Sequence, residues 1–169
     1  MLKYFGRSGR AVGIESTRKP RVASVRRFRA ADAVAVMAIV AESPEAASWW
    51  KDSYLKLAEE AGSLALVSET GGAISGFLVV RIVGDQAEVL NLAVDTRHRR
   101  LGEGTAMLAA ALEEFGLRGV RSVYLEVRES NTGAIEFYEK LGFTRTGRRK
   151  GYYRAPDEAA VTMERKLTG

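Results

Sequence analysis

Apolar and polar positions repeat with two different periods along this chain of 169 residues. Period-two alternation and β-branched runs predict seven strands. The predicted strands cover residues 22–28, 64–68, 73–83, 87–94, 122–127, 143–146 and 160–167. Apolar residues that recur every three or four positions predict four helices. The predicted helices cover residues 31–41, 48–62, 102–117 and 131–141.

The order of these elements indicates how the strands pair. Short glycine turns at Gly71-Gly72 and Gly84-Asp85 join the second, third and fourth strands, which is typical of an antiparallel meander. From the fourth strand onward, strands and helices alternate, and this order implies parallel pairing. We therefore expect a mixed α/β fold in a single domain over residues 21–169, preceded by a mobile basic arm over residues 1–20.

The composition excludes several kinds of chemistry. The chain has no cysteine and one histidine, His98. Disulfides, thiolate metal sites and a cysteine nucleophile are therefore ruled out, and no metal site is predicted. No stretch approaches the ~20 apolar residues of a membrane-spanning helix. Because the first residues also lack the apolar core of a secretory signal, we expect a cytoplasmic protein that does not bind membranes.

The net charge of +5 arises from 26 basic and 21 acidic residues. A basic surplus suits an anionic ligand, so the distribution of the charge matters. Basic residues concentrate in residues 18–29, 97–100 and 145–154. These clusters lack the interleaved aromatic residues of RNA-binding modules. We therefore expect no specific nucleic-acid binding.

The middle basic cluster lies where the fourth strand meets the third helix. Gly102 and Gly104 would let the backbone approach a ligand without an intervening Cβ. The unpaired N–H groups and the dipole of a helix start favour pyrophosphate. Arg97, Arg99 and Arg100 add positive charge around the same opening. The sequence therefore predicts a phosphate-binding turn.

Two motifs in the right order resemble the signatures of the GNAT superfamily of acetyltransferases. The first, Arg99-x-x-Gly102-x-Gly104, is similar to the superfamily's pyrophosphate-binding Arg/Gln-x-x-Gly-x-Gly/Ala signature. The second motif matches at Asn131, Ala134, Tyr138, Gly142 and Phe143. The resemblance implies the GNAT fold, with a mostly antiparallel mixed sheet, a splayed parallel pair and flanking helices. It also implies acetyl-CoA as the cosubstrate.

Within this superfamily the chain resembles the RimI family. The resemblance rests on residues 91–94, 125–131 and 151–153. RimI enzymes acetylate the N-terminal alanine of the eighteenth small-subunit ribosomal protein, which implies a ribosomal protein as the acceptor. RimI-like sequences usually carry a Trp where Trp49 and Trp50 stand here. These two residues and Tyr153 are the predicted acceptor-binding residues.

The resemblance also implies roles for individual residues. Glu126, which lies within an apolar strand, matches the proposed base, and a buried unpaired carboxylate would be costly without a purpose. Tyr138 matches the acid that protonates the departing thiolate. Leu92 and Val94 would bind pantetheine through their backbone groups. The predicted cofactor contacts are Leu92, Ala93, Val94, Arg99, Arg100, Leu101, Gly102, Glu103, Gly104, Thr105, Asn131, Ala134 and Tyr138.

Other interpretations of the same residues remain open. Glu126 could simply face solvent on alternate strand positions, and Tyr138 could be a half-buried aromatic of an amphipathic helix. Asn131 is equally suited to capping that helix. The activity also has alternatives, namely acetylation of a small-molecule amine or CoA binding without catalysis. The oligomeric state does not follow from the sequence.

Overall fold

The computed structural model describes residues 23–46 and 51–167. The predicted arm over residues 1–20 lies outside the described residues, as do Trp49 and Trp50. Within the described part of the chain, no helix is long and apolar enough to cross a membrane.

Seven strands of the described residues form one sheet in the order β1-β2-β3-β4-β5-β7-β6. Neighbouring strands are antiparallel except β4 and β5, which are parallel. The strands are β1 (Ser24–Arg27), β2 (Ser63–Thr70), β3 (Ala73–Val83), β4 (Gln86–Val94), β5 (Ser122–Arg128), β6 (Thr144–Arg154) and β7 (Asp157–Lys166). The same residues form four α-helices, namely α1 (Ala33–Ala41), α2 (Lys51–Glu59), α3 (Glu103–Leu117) and α4 (Thr132–Lys140). The predicted mixed, mostly antiparallel fold is confirmed.

The sheet is covered on both faces, and each face has its own apolar core. On one face, Phe115 of α3 and Ile135 of α4 join the larger cluster of buried residues. On the other face, Val36 of α1 and Tyr54 of α2 pack with Phe77 of β3. Because side chains alternate along a strand, successive residues of the central strands point toward different helices.

The parallel pair separates partway along its length. β4 pairs with β5 only from Gln86 to Val89, opposite residues 122–125. β4 nevertheless continues to Val94, and β5 continues to Arg128. The pairing ends at a bulge, because Val89 and Asn91 of β4 lie opposite consecutive residues of β3 and leave Leu90 between them. Beyond the bulge the facing edges of β4 and β5 do not pair, which matches the splayed pair that the resemblance implied.

The bounds of several elements differ from the sequence prediction by a few residues, and two differences have a clear physical reason. The second helix ends at Glu59, before the predicted end at Gly62, because the Gly62 carbonyl accepts a hydrogen bond from Ile82 N of the neighbouring strand. The sixth strand extends to Arg154, whereas the prediction ended at residue 146. Its residues are almost all exposed. An edge strand paired on one side needs no apolar alternation, so the pattern along the sequence gave no sign of its length.

The hairpin of β6 and β7 contains a marked irregularity. Arg149 lies opposite Ala160 and Tyr153 lies opposite Glu158, so three residues of β6 face a single residue of β7. Gly151, in the middle of these three, has a φ of 59°. Bulges of this kind redirect side chains and are common beside functional sites.

Candidate functional site

A cleft of about 570 Å³ lies at the point where β4 separates from β5. Its walls come from the end of β4, the turn before α3, the start of α3, one face of α4 and the loop after α1. Most of the predicted cofactor contacts lie along it. They are Leu92, Ala93, Val94, Arg99, Arg100, Gly102, Glu103, Gly104, Thr105, Asn131, Ala134 and Tyr138.

Leu101 is the predicted contact that does not line the cleft. Its side chain is 70% exposed, between two backbone positions of left-handed conformation. These positions are Arg100, with a φ of 62°, and Gly102, with a φ of 87°. The turn that brings Gly102 to the start of α3 thus leaves Leu101 facing solvent.

Further residues of the cleft were not among the predicted contacts. Gly133 and Phe137 lie on the same face of α4 as Ala134 and Tyr138, so helical spacing from the motif residues would have found them. Ser43, Glu45 and Ala46 come from the loop after α1, and His98 comes from the turn. The position of the loop depends on how α1 packs on the sheet, which the sequence pattern does not specify.

The start of α3 presents backbone amides to the cleft. The first intrahelical hydrogen bond runs from Ala106 N to the Gly102 carbonyl, so the amides of residues 103–105 precede the helical ladder. Gly102 is the N-cap residue, and no side chain of the described residues caps the helix there. A Cβ on Gly104 would lie 3.3 Å from Phe137 Cζ and 3.7 Å from Leu92 Cδ2, both in the cleft. This arrangement suits an anion that approaches the backbone closely.

The three arginines of the turn differ in their surroundings. Arg97 is paired with Asp95 at 2.7 Å, which holds the pKa of that carboxyl well below its usual range. Its charge is therefore balanced within the turn. Arg99 donates hydrogen bonds to the Val94 carbonyl at 3.1 Å and to Ser43 Oγ at 3.2 Å. Arg99 thus joins the end of β4 to the loop after α1, while Arg100 lines the cleft.

Glu103 is placed differently from an ordinary cleft residue. Its carboxylate is buried, and it accepts hydrogen bonds from Ser68 Oγ at 2.8 Å and from Thr70 Oγ1 at 2.9 Å. The side chain therefore anchors the first turn of α3 to β2. Only the backbone of Glu103 is available to a ligand at the helix start.

Asn131 caps α4, which was one of the two roles that the sequence analysis gave it; the other was contact with the cofactor. Its Oδ1 accepts a hydrogen bond from Ala134 N at 3.1 Å. The residue also lines the cleft. Capping fixes where α4 begins, and it therefore fixes the position of Tyr138 two turns later.

Tyr138 is buried against the cleft. Its ring makes edge contacts with Phe137 and Phe143, at centroid distances of 5.1 Å and 5.4 Å. Burial raises the pKa of the phenol well above its usual value. Among the described residues, its hydroxyl has no hydrogen-bond partner. The hydroxyl is thus a protonated donor beside the cleft.

Glu126 lies on the opposite side of β5 from Tyr138. Its neighbours Leu125 and Val127 belong to the same core as Tyr138, so alternation turns the Glu126 side chain to the other face. Glu126 is also the first residue of β5 beyond the pairing with β4, which ends at Leu125. Tyr138 and Glu126 therefore flank the separation of the two strands from its two faces.

The carboxylate of Glu126 is not a simple solvent-facing group, because its side chain is only 19% exposed. Arg149 Nη1 donates a hydrogen bond to its Oε1. A hydrogen bond from Tyr152 to Glu126 raises the pKa of the tyrosine to about 12. Both partners come from the irregular part of β6.

Tyr153, a predicted acceptor-binding residue, is part of a neighbouring cluster. The Arg128 guanidinium lies 4.0 Å from the centroid of its ring, and the Tyr152 ring lies edge-on at 5.0 Å. Burial raises the pKa of Tyr153. Within the described ranges, no group of histidine, aspartate and glutamate residues could hold a metal ion.

Comparison with known proteins matches this arrangement to a family. The model of the acetyltransferase (GNAT) family matches residues 33–143. The [ribosomal protein bS18]-alanine N-acetyltransferase of Escherichia coli K12 is 40% identical over 94 residues. That match covers 54% of this chain and 64% of the relative's length. A candidate enzyme of the same name from Bacillus subtilis is 35% identical over 142 residues, covering 83% of this chain and 93% of the relative.

Solved structures share the fold. The crystal structure of the ribosomal-protein-S18-alanine N-acetyltransferase from E. coli has a TM-score of 0.76 at 28% identity, covering 88% of this chain and 97% of that one. Ard1 from Thermoplasma volcanium has a TM-score of 0.79 at 32% identity, with coverages of 87% and 99%. A PaiA N-acetyltransferase from Thermoplasma acidophilum, solved in complex with coenzyme A, shares the fold with a TM-score of 0.74 at 19% identity, covering 86% of this chain and 99% of that one.

Proposed function

Because the chain belongs to the acetyltransferase (GNAT) family, we propose that it transfers an acetyl group from acetyl-CoA to an amine. The observation that carries this proposal is the placement of Tyr138 and Glu126 on the two faces of the gap between β4 and β5. The gap continues into a cleft with bare helix amides at its far wall. The end of the cleft at the start of α3 suits a diphosphate, and the end at the gap between β4 and β5 suits proton transfer.

The described residues fit a long anionic thioester. The amides at the start of α3 would hold the diphosphate, and Arg100 would add positive charge beside it. Backbone groups of β4 at Leu92 and Val94, which lie beyond the pairing with β5, would hold the pantetheine arm as an added strand would. At Val94 the amide would serve this role, because the carbonyl already accepts a hydrogen bond from Arg99. One of these amides could also polarise the thioester carbonyl. When bound, acetyl-CoA supplies an activated acyl carbon at this place.

Glu126 and Tyr138 then divide the proton transfers. Glu126 accepts a proton from the acceptor's ammonium, directly or through water, and so frees the nitrogen lone pair. As the N–C bond forms and the C–S bond breaks, Tyr138 donates its proton to the sulfur and regains one from the nitrogen. Of the three ammonium protons, one stays on the amide, one ends on the thiol and one passes through Glu126 to solvent.

The demand on the base is modest. An α-amino group has a pKa near 8, so about a tenth of it is already free at pH 7. Positioning the amine therefore contributes more than a strongly basic group would. A carboxylate held at the gap is sufficient for this task.

The proposed acceptor is the N-terminal alanine of a small-subunit ribosomal protein. The bS18-alanine N-acetyltransferases among the relatives support this acceptor, and the matched segment spans 64% of the length of the E. coli relative. The B. subtilis relative supports it over 93% of its length. Tyr152 and Tyr153 lie beside Glu126, where they could cover a peptide end.

A peptide panel tests this function. The protein is incubated with acetyl-CoA and short peptides that differ only in the first residue, with spermidine as a small-amine control. We expect product, followed by mass spectrometry, from the peptide that begins with alanine and none from spermidine. Acetylation of spermidine alone would contradict the proposed acceptor, and the absence of any acetylated product would contradict the proposed activity.

A further inference from the structure

The carboxylate of Glu126 is already occupied by a cation. Arg149 Nη1 is hydrogen-bonded to Glu126 Oε1, so the two side chains form an ion pair that joins β6 to β5. The Tyr152 hydroxyl interacts with the same carboxylate, which raises the pKa of that tyrosine to about 12. Because the Arg149 guanidinium already bonds to Oε1, an acceptor ammonium that takes this oxygen must displace it.

The charges around the pair come from β5 itself and from two other strands. Glu88 of β4 adds a favourable interaction with Arg149. Arg128 of β5 and Glu158 of β7 form their own ion pair at 3.3 Å, close enough to act on Tyr153. Thr162 of β7 lies opposite Glu126 and carries no charge. Arg149 is therefore the cation that bonds directly to Glu126.

The two partners of the ion pair are unequally buried. The Arg149 side chain is 60% exposed, whereas the Glu126 side chain is 19% exposed. The Arg149 guanidinium also lies over the Tyr152 ring, whose centroid is 5.2 Å from the guanidinium carbon. An exposed arginine is held weakly in such a pair, because water solvates it well once it is released. Glu126, by contrast, would stay in place without it.

The backbone of Arg149 is held in register with Ala160 of β7, so release of the ion pair involves the Arg149 side chain alone. The irregular pairing of β6 begins immediately after Arg149 and ends at Tyr153. A change of rotamer would withdraw the long, exposed Arg149 side chain from Glu126 without disturbing β5.

We propose that Arg149 is a displaceable counter-cation, whose guanidinium occupies the position on Glu126 that the acceptor's ammonium takes during the reaction. This inference rests on the proposed function, since it concerns the same carboxylate. Exchange of one cation for another leaves the Glu126 carboxylate paired with a cation before and after the acceptor arrives. An acceptor with no positive charge at its reactive end gains nothing from displacing Arg149, so the exchange selects for a cationic amine.

The test compares two peptides that differ only in whether the first residue carries a free, cationic amine or a neutral acetylated one. An alanine-initiated peptide and its N-acetylated form are titrated by calorimetry into the protein saturated with coenzyme A. The variants are Arg149→Gln, which removes the competing cation, and Arg149→Lys, which keeps it. Arg148→Gln is the matched control, because Arg148 is a similarly exposed neighbour on β6 whose partner is Glu129.

We expect Arg149→Gln to bind the free-amine peptide about threefold more tightly than the wild type, and the acetylated peptide equally well. Arg149→Lys and Arg148→Gln should both keep the wild-type preference. Unchanged or weaker binding of the free-amine peptide by Arg149→Gln, or no measurable binding of it, would overturn the inference. Loss of acetyl transfer in the peptide panel would instead count against the proposed function.

Discussion

At the scale of single residues, the two proposed proton-transfer groups lie in very different surroundings. Tyr138 is buried among aromatic rings, and burial keeps its phenol protonated. Glu126 is held between Arg149 and Tyr152 at the edge of the gap. The apolar setting of Tyr138 keeps the proposed acid in the protonated form that the reaction needs.

Glu126→Gln should lower kcat by about 100-fold or more, because a carboxamide cannot accept the proton of the ammonium. The KM for acetyl-CoA should stay within about twofold of the wild type, since Glu126 does not line the cofactor cleft. Steady-state kinetics with the alanine-initiated peptide measures both. Glu129→Gln is the control, because Glu129 also pairs with an arginine of β6 but lies beyond the end of β5. Equal losses in the two variants would remove the assigned role.

Tyr138→Phe should lower kcat by roughly 10- to 100-fold, because the sulfur then leaves without a positioned proton donor. In the wild type, burial raises the pKa of Tyr138, so its phenol remains protonated as the pH rises past the ordinary tyrosine value of about 10. The kcat should accordingly show no loss from phenol ionisation up to that pH. A fall in kcat that begins near pH 8 in the wild type and is absent in Tyr138→Phe would contradict this role.

At the scale of elements, the turn before α3 could be predicted from the sequence more fully than the β6–β7 hairpin. Two glycines after an apolar strand define the turn locally, so the pattern indicates where Gly102 and Gly104 lie. The hairpin has no comparable signal, because Arg149 and Tyr152 reach Glu126 through an irregular pairing that depends on β7. Residue type and the family resemblance therefore predicted Glu126 as the base, but not its partners Arg149 and Tyr152.

Alanine should have opposite effects on stability at two glycines, one in the turn before α3 and one near the end of that helix. Gly102→Ala should lower the free energy of unfolding by about 1 kcal/mol, because Gly102 has a φ of 87° and a side chain is strained there. Gly116→Ala, near the end of the same helix, should raise it by roughly 0.5–1 kcal/mol, because alanine restricts the unfolded chain and meets no atom within 4 Å. Urea unfolding measures both. Destabilisation by both variants to a similar degree would contradict the described turn.

At the scale of the whole molecule, the sheet places chemistry from distant parts of the chain at one gap. The second motif brings Tyr138 to one face through α4, while β5 carries Glu126 on the other face. The sequence predicted the strands and helices because their apolar periods are strong. It did not predict that Ser43 of the loop after α1 would be joined to the turn by Arg99, since that contact arises only when α1 packs on the sheet.

At the start of α3, the side chain that anchors the helix is distinct from the backbone groups that would bind a ligand. Glu103 belonged to the predicted contacts, but its side chain ties α3 to β2 through Ser68 and Thr70. A motif identifies a position along the chain, and the three-dimensional packing decides whether its side chain or its backbone faces the ligand. The cleft is therefore lined at this point by amides, which favour a diphosphate whatever the neighbouring side chain is.

The central claim is that the start of α3 receives the diphosphate of acetyl-CoA, and a calorimetric titration of acetyl-CoA tests it most directly. The wild type and Gly116→Ala should bind one equivalent with equal affinity. Gly104→Val should bind about tenfold more weakly or worse, because its side chain would project between Leu92 and Phe137 in the cleft. Thermal unfolding verifies that this variant is folded. No heat of binding with the wild type, or an unchanged affinity for folded Gly104→Val, would contradict the account.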